Sequence, residues 1–120
     1  MHSKNQIGQY GESIAIEYLD KLGYQILETN WRFKRAEIDI IAKKAETLVF
    51  IEVKTRTYTF YGQPEDSIDA SKEAFIIDAA QRYMEKIGHN WEVRFDIISI
   101  ILAKNKKLEK ISHFKDAFFY

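Results

Sequence analysis

Near the start of the chain the apolar residues Ile14, Ala15, Tyr18, Leu19 and Leu22 recur three and four positions apart, with Ser13, Glu17, Asp20 and Lys21 between them. This spacing predicts an amphipathic helix over residues 7–22, stopped by Gly23. Gly8 and Gly11 weaken helix propensity and imply either close backbone approach or a loose first turn. The period then changes. Residues 24–28 read as a strand. Residues 36–42 and 47–54 are two runs rich in Ile, Val and Phe around the polar break 43–46, the pattern of two strands joined by a hairpin-length turn. Before them, Asn30-Trp31-Arg32-Phe33-Lys34-Arg35 interleaves aromatics with cations, which fits an edge strand facing water or a rim that meets phosphates.

Beyond the hairpin, residues 55–64 lose clean alternation and contain the one proline, so a loop is expected there. A second helix is predicted over 71–87, with Ala74, Ile77, Ala80, Met84 and Ile87 on one stripe and Gly88 ending it. Phe75 and Ile76 widen that stripe and imply burial over much of the helix. Residues 91–102 begin by alternating and end as a nearly continuous apolar run, as in a central strand covered on both faces. The tail carries Lys104, Lys106, Lys107 and Lys110, then Phe114, Phe118, Phe119 and Tyr120, aromatics that suit docking on the body or on a second subunit. The order of helix, three strands, helix, then one or two strands gives an α/β protein with a mixed sheet of four to five strands flanked by helices. It reads as a single domain over 1–120, with a core over about 8–103 and a tail over 104–120.

Composition narrows the chemistry. With 120 residues and 46% apolar content the chain can bury a core without staples. It has no cysteine, which excludes disulfides, thiolate metal sites and a cysteine nucleophile. His2, His89 and His113 lack ligand spacing, and no glycine-rich phosphate loop or serine nucleophile elbow is present. No apolar run is long enough to span a bilayer and no signal-peptide core precedes the first helix, so the cytoplasm is expected by default. Lys plus Arg and Asp plus Glu number 18 each. A polyanionic partner must therefore be met by a local patch, for which Arg32, Lys34, Arg35, Arg56 and Lys72 are the candidates.

The hairpin carries charge where a buried strand should not. Side-chain alternation puts Glu37 and Asp39 on one face of the first run, with Ile38 and Ile40 on the other. In the second run Leu48, Phe50, Glu52 and Lys54 share a face. Antiparallel pairing then gathers Asp39, Glu52 and Lys54, and carboxylates gathered beside apolar residues call for a cation or a proton. Asp39 and Glu52, with the main-chain carbonyl of Val53, form an oxygen donor set for a hard divalent cation such as Mg2+, with Mn2+ a possible substitute. A cation there would activate water for phosphodiester hydrolysis, with Lys54 orienting that water or neutralising phosphoryl oxygens. The bland alternative is an ordinary Glu-Lys pair at a strand end. Glu12 sits on the margin of the first helix's apolar stripe, either as an early-turn glutamate favoured by the helix dipole or as a further site residue.

Several motifs in fixed order carry a resemblance. Gly8-x-x-Gly11-Glu12-x-x-Ala15, Gly23-Tyr24-x-Ile26-Leu27, Asn30-x-Arg32, Glu37-Ile38-Asp39-Ile40-Ile41, Phe50-Ile51-Glu52-Val53-Lys54-x-Arg56, Gly62 and Arg94-Phe95-Asp96 resemble the YraN-like family of uncharacterised bacterial proteins. That family is similar to the PD-(D/E)xK nuclease superfamily and, in this core, to archaeal Holliday junction resolvases. The resemblance implies a restriction-endonuclease-like fold and puts Glu12, Asp39, Glu52 and Lys54 on the four active-site positions. It further implies a Mg2+-dependent endonuclease acting on DNA, branched or repair intermediates included, and leaving 5′-phosphate and 3′-hydroxyl ends. Ala36 stands where a glycine usually precedes Glu-Ile-Asp, and the superfamily's proline is missing before Asp39. Two other classes stay open: a non-catalytic nucleic-acid-binding or protein-interaction module on the nuclease fold, and an oligomerisation domain, such as a homodimer, using the aromatic tail.

Overall fold

Seven elements follow one another as α1 (Lys4–Lys21), β1 (Gln25–Phe33), β2 (Ala36–Lys44), β3 (Thr47–Thr57), α2 (Ala70–Ile87), β4 (Val93–Leu102) and β5 (Leu108–Phe114). The computed structural model describes residues 4–57 and 70–117. Most of the expected loop over 55–64, Gly62 included, and the tail residues Phe118, Phe119 and Tyr120 lie outside them. Residues 55–57 belong instead to β3, held in register beside Ile100, Ile101 and Leu102 of β4. The strands form one five-stranded sheet in the order β1-β2-β3-β4-β5. Among the described strands only β3 and β4 are parallel, and the connection between them contains α2. The mixed sheet with helices on both faces is the expected restriction-endonuclease-like α/β architecture. No helix among the described residues is long and apolar enough to cross a membrane.

Each helix covers one face. Ala15 and Leu19 of α1 pack on Ile40, Ala42, Val49, Ile51, Ile98, Ile100 and Leu102. Ile76, Ala79, Ala80 and Tyr83 of α2 pack on Ile38, Ile41, Leu48, Phe50, Phe95 and Ile97. The α2 contact line is thus rotated from the predicted one. Phe75 is 44% exposed and Ile87 45%, because the spacing 76, 79, 80, 83 faces the sheet and leaves 75 and 87 at its sides. Tyr83 anchors this layer with edge contacts to Phe50 and Trp31, and Phe50 stacks on Phe95. Such ring pairs contribute about 0.5–1.5 kcal/mol each beyond area burial. Leu22 is 46% exposed, since α1 ends before it, with Gly23 at φ 91° and the Tyr24 N–H donating to the Leu19 carbonyl.

A charged network closes the α1 layer against β4 and β5. Asp96, fully buried, receives Arg94 Nε on Oδ1 and Arg94 Nη2 on Oδ2, each at 2.9 Å. His113 Nε2 lies 2.7 Å from Asp96 Oδ2, and the Asp116 N–H donates to Oδ1 at 3.0 Å. Arg94 also donates to the Tyr24 hydroxyl, and the Tyr18 hydroxyl lies 3.1 Å from His113 Nδ1. Burial alone would raise Asp96, but these hydrogen bonds outweigh it and hold its carboxyl below the usual carboxylate range.

Candidate active site

The site lies where the sheet forks. β2 and β3 pair from Lys44↔Thr47 back to Ile40↔Ile51. Beyond that point β2 stays with β1 and β3 stays with β4, so a gap opens at Asp39 and Glu52. Side-chain alternation breaks at the same place. Ile38 packs in the α2 layer but Ile40 in the α1 layer, which corrects the expectation that the two share a face. Across from this break, between Thr29↔Ile40 and Trp31↔Ile38, Asn30 adopts a left-handed backbone at φ 51°. Asparagine tolerates that conformation better than most residues, so one kink crosses both strands.

The fork leaves backbone groups of β3 without a strand partner, and Asp39 meets one of them. Its Oδ2 accepts the Val53 N–H at 2.8 Å. Glu52, 8% exposed, accepts Lys72 Nζ on Oε1 at 2.7 Å. Glu12 reaches the same place from α1. Asp39, Glu52 and Glu12 line a cavity of about 480 Å3 with Val53, Thr55 and Arg56. Asp39 and Glu52 also line a second cavity of about 260 Å3 with Arg35, Glu37 and Lys72. The two carboxylates therefore stand between two openings of one cleft.

Electrostatics mark the pair. Burial first, then the negative charge of Glu52, pushes Asp39 up to about 8, against the lowering effect of the Val53 N–H. Glu12 is raised by its own burial, an effect opposed by a hydrogen bond from Asn30 and reinforced by Glu37 and Glu52. Without a cation the buried site thus favours the protonated form of Asp39. Among the described residues no three Asp, Glu or His side chains converge as one closed ligand set. The donors present are two carboxylates and the strand backbone, the open kind of set that suits Mg2+ retaining its own waters.

The other candidates divide. Lys54 follows Glu52 by two positions on β3 and is half-buried, but it is not among the described lining of either cavity. Arg35 and Arg56 line the two openings. The Lys72 ammonium sits on Glu52, with its side chain half exposed at the second opening. Arg32 pairs across the strands with Glu37 at 2.8 Å, which gives Glu37 a partner, and Lys34 lies 5.3 Å over the Phe33 ring. Two supporting residues escaped sequence reasoning. Asn30 hydrogen-bonds Glu12, and Thr55 lies under Gly11 so closely that an added Cβ would stand 2.7 Å from the Thr55 Cβ. The glycines were the available signal: Gly11 marks close backbone approach, while Gly8 faces open space.

A five-stranded mixed sheet flanked by two helices gives the chain a restriction-endonuclease-like α/β fold. The family model described as Uncharacterised protein family UPF0102 matches residues 11–100. A UPF0102 protein of Flavobacterium psychrophilum is 44% identical over 120 residues, covering 100% of this chain and 99% of the relative. A UPF0102 protein of Christiangramia forsetii is 46% identical over the same length and coverage. One of Chlorobium phaeobacteroides is 43% identical over 119 residues, covering 95% and 94%. The chain belongs to the UPF0102 family, the YraN-like family that its motifs resemble.

Proposed function

We propose that this protein is a Mg2+-dependent endonuclease that hydrolyses phosphodiester bonds of DNA in the forked cleft. The observation that carries this reading is the buried Asp39–Glu52 pair, where burial and then the neighbouring negative charge raise Asp39 to about 8. A divalent cation resolves that charge as the proton does. Asp39, Glu52 and the Val53 carbonyl would hold it, a hard-oxygen set completed by water. When bound, Mg2+ supplies an acidified water and positive charge against the oxygens of the transferring phosphorus. The chain's own groups do the rest. Glu12 fixes water on the α1 side of the cleft, and Lys54 neutralises charge that builds on phosphoryl oxygens. Arg35 and Arg56, at the two openings, hold the DNA backbone. Water adds to phosphorus as the bond to the 3′ oxygen breaks, leaving a 3′-hydroxyl and a 5′-phosphate.

Calorimetric titration with Mg2+ and Mn2+, with and without DNA, tests the cation, and linear, single-stranded and four-way substrates test the chemistry. Binding that disappears in Asp39→Asn, and cleavage lost in both Asp39→Ala and Lys54→Ala, are expected. Cleavage that survives those two alanine variants would sink this active site. One observation favours a second reading, a non-catalytic nucleic-acid-binding module: the Lys72 ammonium already sits on Glu52 at 2.7 Å, as a metal would. That reading expects salt-sensitive DNA binding with no metal-dependent turnover on any substrate.

A further inference from the structure

A further cavity lies beside the forked cleft. About 640 Å3 of space lies between the start of α1 and the turn joining β4 to β5, within the roughly 300–1,000 Å3 of ligand-sized pockets. Its described lining includes Ile7, Gln9, Tyr10, Asn105, Lys106 and Lys107, and no acidic side chain. The Lys106 and Lys107 turn belongs to the basic tail that the proposed chemistry leaves unused. Two contacts join this cavity to the cleft. Ile7 lines both. Lys106 Nζ donates to Thr57 Oγ1 at 3.4 Å, and Thr57 lines the cleft beside Glu12 and Asp39.

We infer that this cavity is a subsite for a single strand of nucleic acid running on from the scissile phosphate. The inference rests on the nuclease reading for the position of that phosphate and deepens it by naming an unpaired strand as what lies beside it. Charge complementarity supports this occupant. The cleft itself is acidic, so a polyanion entering it gains electrostatically from the cations at its side, and Lys106 and Lys107 stand at that border. The aromatic residue points to the strand's form. Tyr10 is 44% exposed on the cavity wall, a ring open to stacking by an unpaired base. A base-paired helix keeps its base faces covered and would use the lysines alone. Gln9 and Asn105 add amide groups of the kind that meet base edges and sugars.

The test uses the full chain and a fluorescent single-stranded DNA oligonucleotide, by anisotropy, in chelator and again with Mg2+. Lys106→Gln with Lys107→Gln should weaken binding about tenfold and lower the salt slope by roughly 1.4, from about 0.7 per single-strand phosphate contact. Tyr10→Ala should weaken it roughly 5- to 100-fold, and Tyr10→Phe, which keeps the ring, should bind as wild type. An RNA oligonucleotide of the same sequence shows whether the subsite reads the sugar. Photo-crosslinking from a thio-substituted base on the unaltered protein should label the peptide that contains Tyr10. Wild-type binding by Tyr10→Ala or by the double lysine variant, or crosslinks confined to other peptides, would overturn the inference. If the wild type cuts DNA and the lysine variants cut with unchanged KM, this subsite falls and the nuclease reading stands. If no metal supports cleavage but the lysine and Tyr10 effects persist, the nuclease reading falls and the binding surface stands.

Discussion

Gly11→Ala sets helix propensity against packing, and the α1 interface with β3 decides the sign. In an exposed helix this change stabilises by about 1 kcal/mol. Here the new methyl meets Thr55, with its Cβ at 2.7 Å and its Cγ2 at 2.8 Å. Both are about 1 Å inside the ~3.5–4.0 Å of ordinary carbon contact. The Thr55 methyl can rotate, but its Cβ is anchored to β3, which pairs with β4 at Thr55↔Ile100. α1 must therefore lift away, drawing Glu12 from Asp39 and Glu52. Overpacking of this kind costs about 1–3 kcal/mol, which leaves a net loss of about 1 kcal/mol. In a chain of this size that lowers Tm by about 2–6 °C, readable by circular dichroism. With Thr55→Gly as the background the obstacle is gone, and Gly11→Ala should become neutral or stabilising, a coupling of about 1 kcal/mol or more in the double-mutant cycle. A higher Tm for Gly11→Ala alone, or equal losses in both backgrounds, would refute the close approach.

Two further outcomes follow from buried charge. Because Asp39 is raised to about 8, the metal-free folded state binds more protons than the unfolded chain between the ordinary carboxylate range and that value. Its stability therefore falls as pH rises through this window. Asp39→Asn mimics the protonated acid and should be more stable by several kcal/mol at pH 8, with a flatter profile in urea titrations, and parallel pH profiles for the two proteins would contradict the raised Asp39. Asp96 is lowered, the opposite case, so its contribution is present above the ordinary carboxylate range and lost as pH falls through its folded value. Arg94→Leu leaves that buried carboxylate short of a partner and should cost about 3 kcal/mol near neutrality, a deficit that shrinks in acid; a deficit independent of pH would argue against the pairing.

What was legible in the sequence was the part written in local periodicity. The apolar run from Leu48 to Ile51 and the α1 positions Ala15 and Leu19 declared their burial. The grouping of Asp39 with Glu52 followed from two neighbouring strands, whereas Lys54, expected beside them, is not among the described lining of either cavity. Alternation failed at Asp39 because it assumes an unbroken pleat, and the left-handed Asn30 that breaks it lies on another strand. The expected α2 stripe meets the core at Ala80 and, partly buried, at Ile77 and Met84, while Ile76, Ala79 and Tyr83 beside it take the centre, because apolar residues on adjoining sides leave tertiary contact to choose among them. β5 is hard to read from sequence, since Leu-Glu-Lys-Ile-Ser-His-Phe on a sheet edge carries little pattern. His113 looked isolated along the chain, and only the β4–β5 register brings it to Asp96.

The single parallel pairing in the sheet has a kinetic consequence. β1 with β2, β2 with β3, and β4 with β5 join across short turns, whereas β3 meets β4 only after residues 58–92 have been looped back. By chain-closure entropy that step is dearer than a hairpin by about 2 kcal/mol. The chain should therefore form an N-terminal meander and a C-terminal hairpin first, and their docking through α2 should limit the rate. Glu12, Asp39 and Glu52 all belong to the first piece, while Lys72 arrives with the connection. The acidic cluster is then assembled before its internal counter-charge, which makes the docking step the one most sensitive to ionic strength.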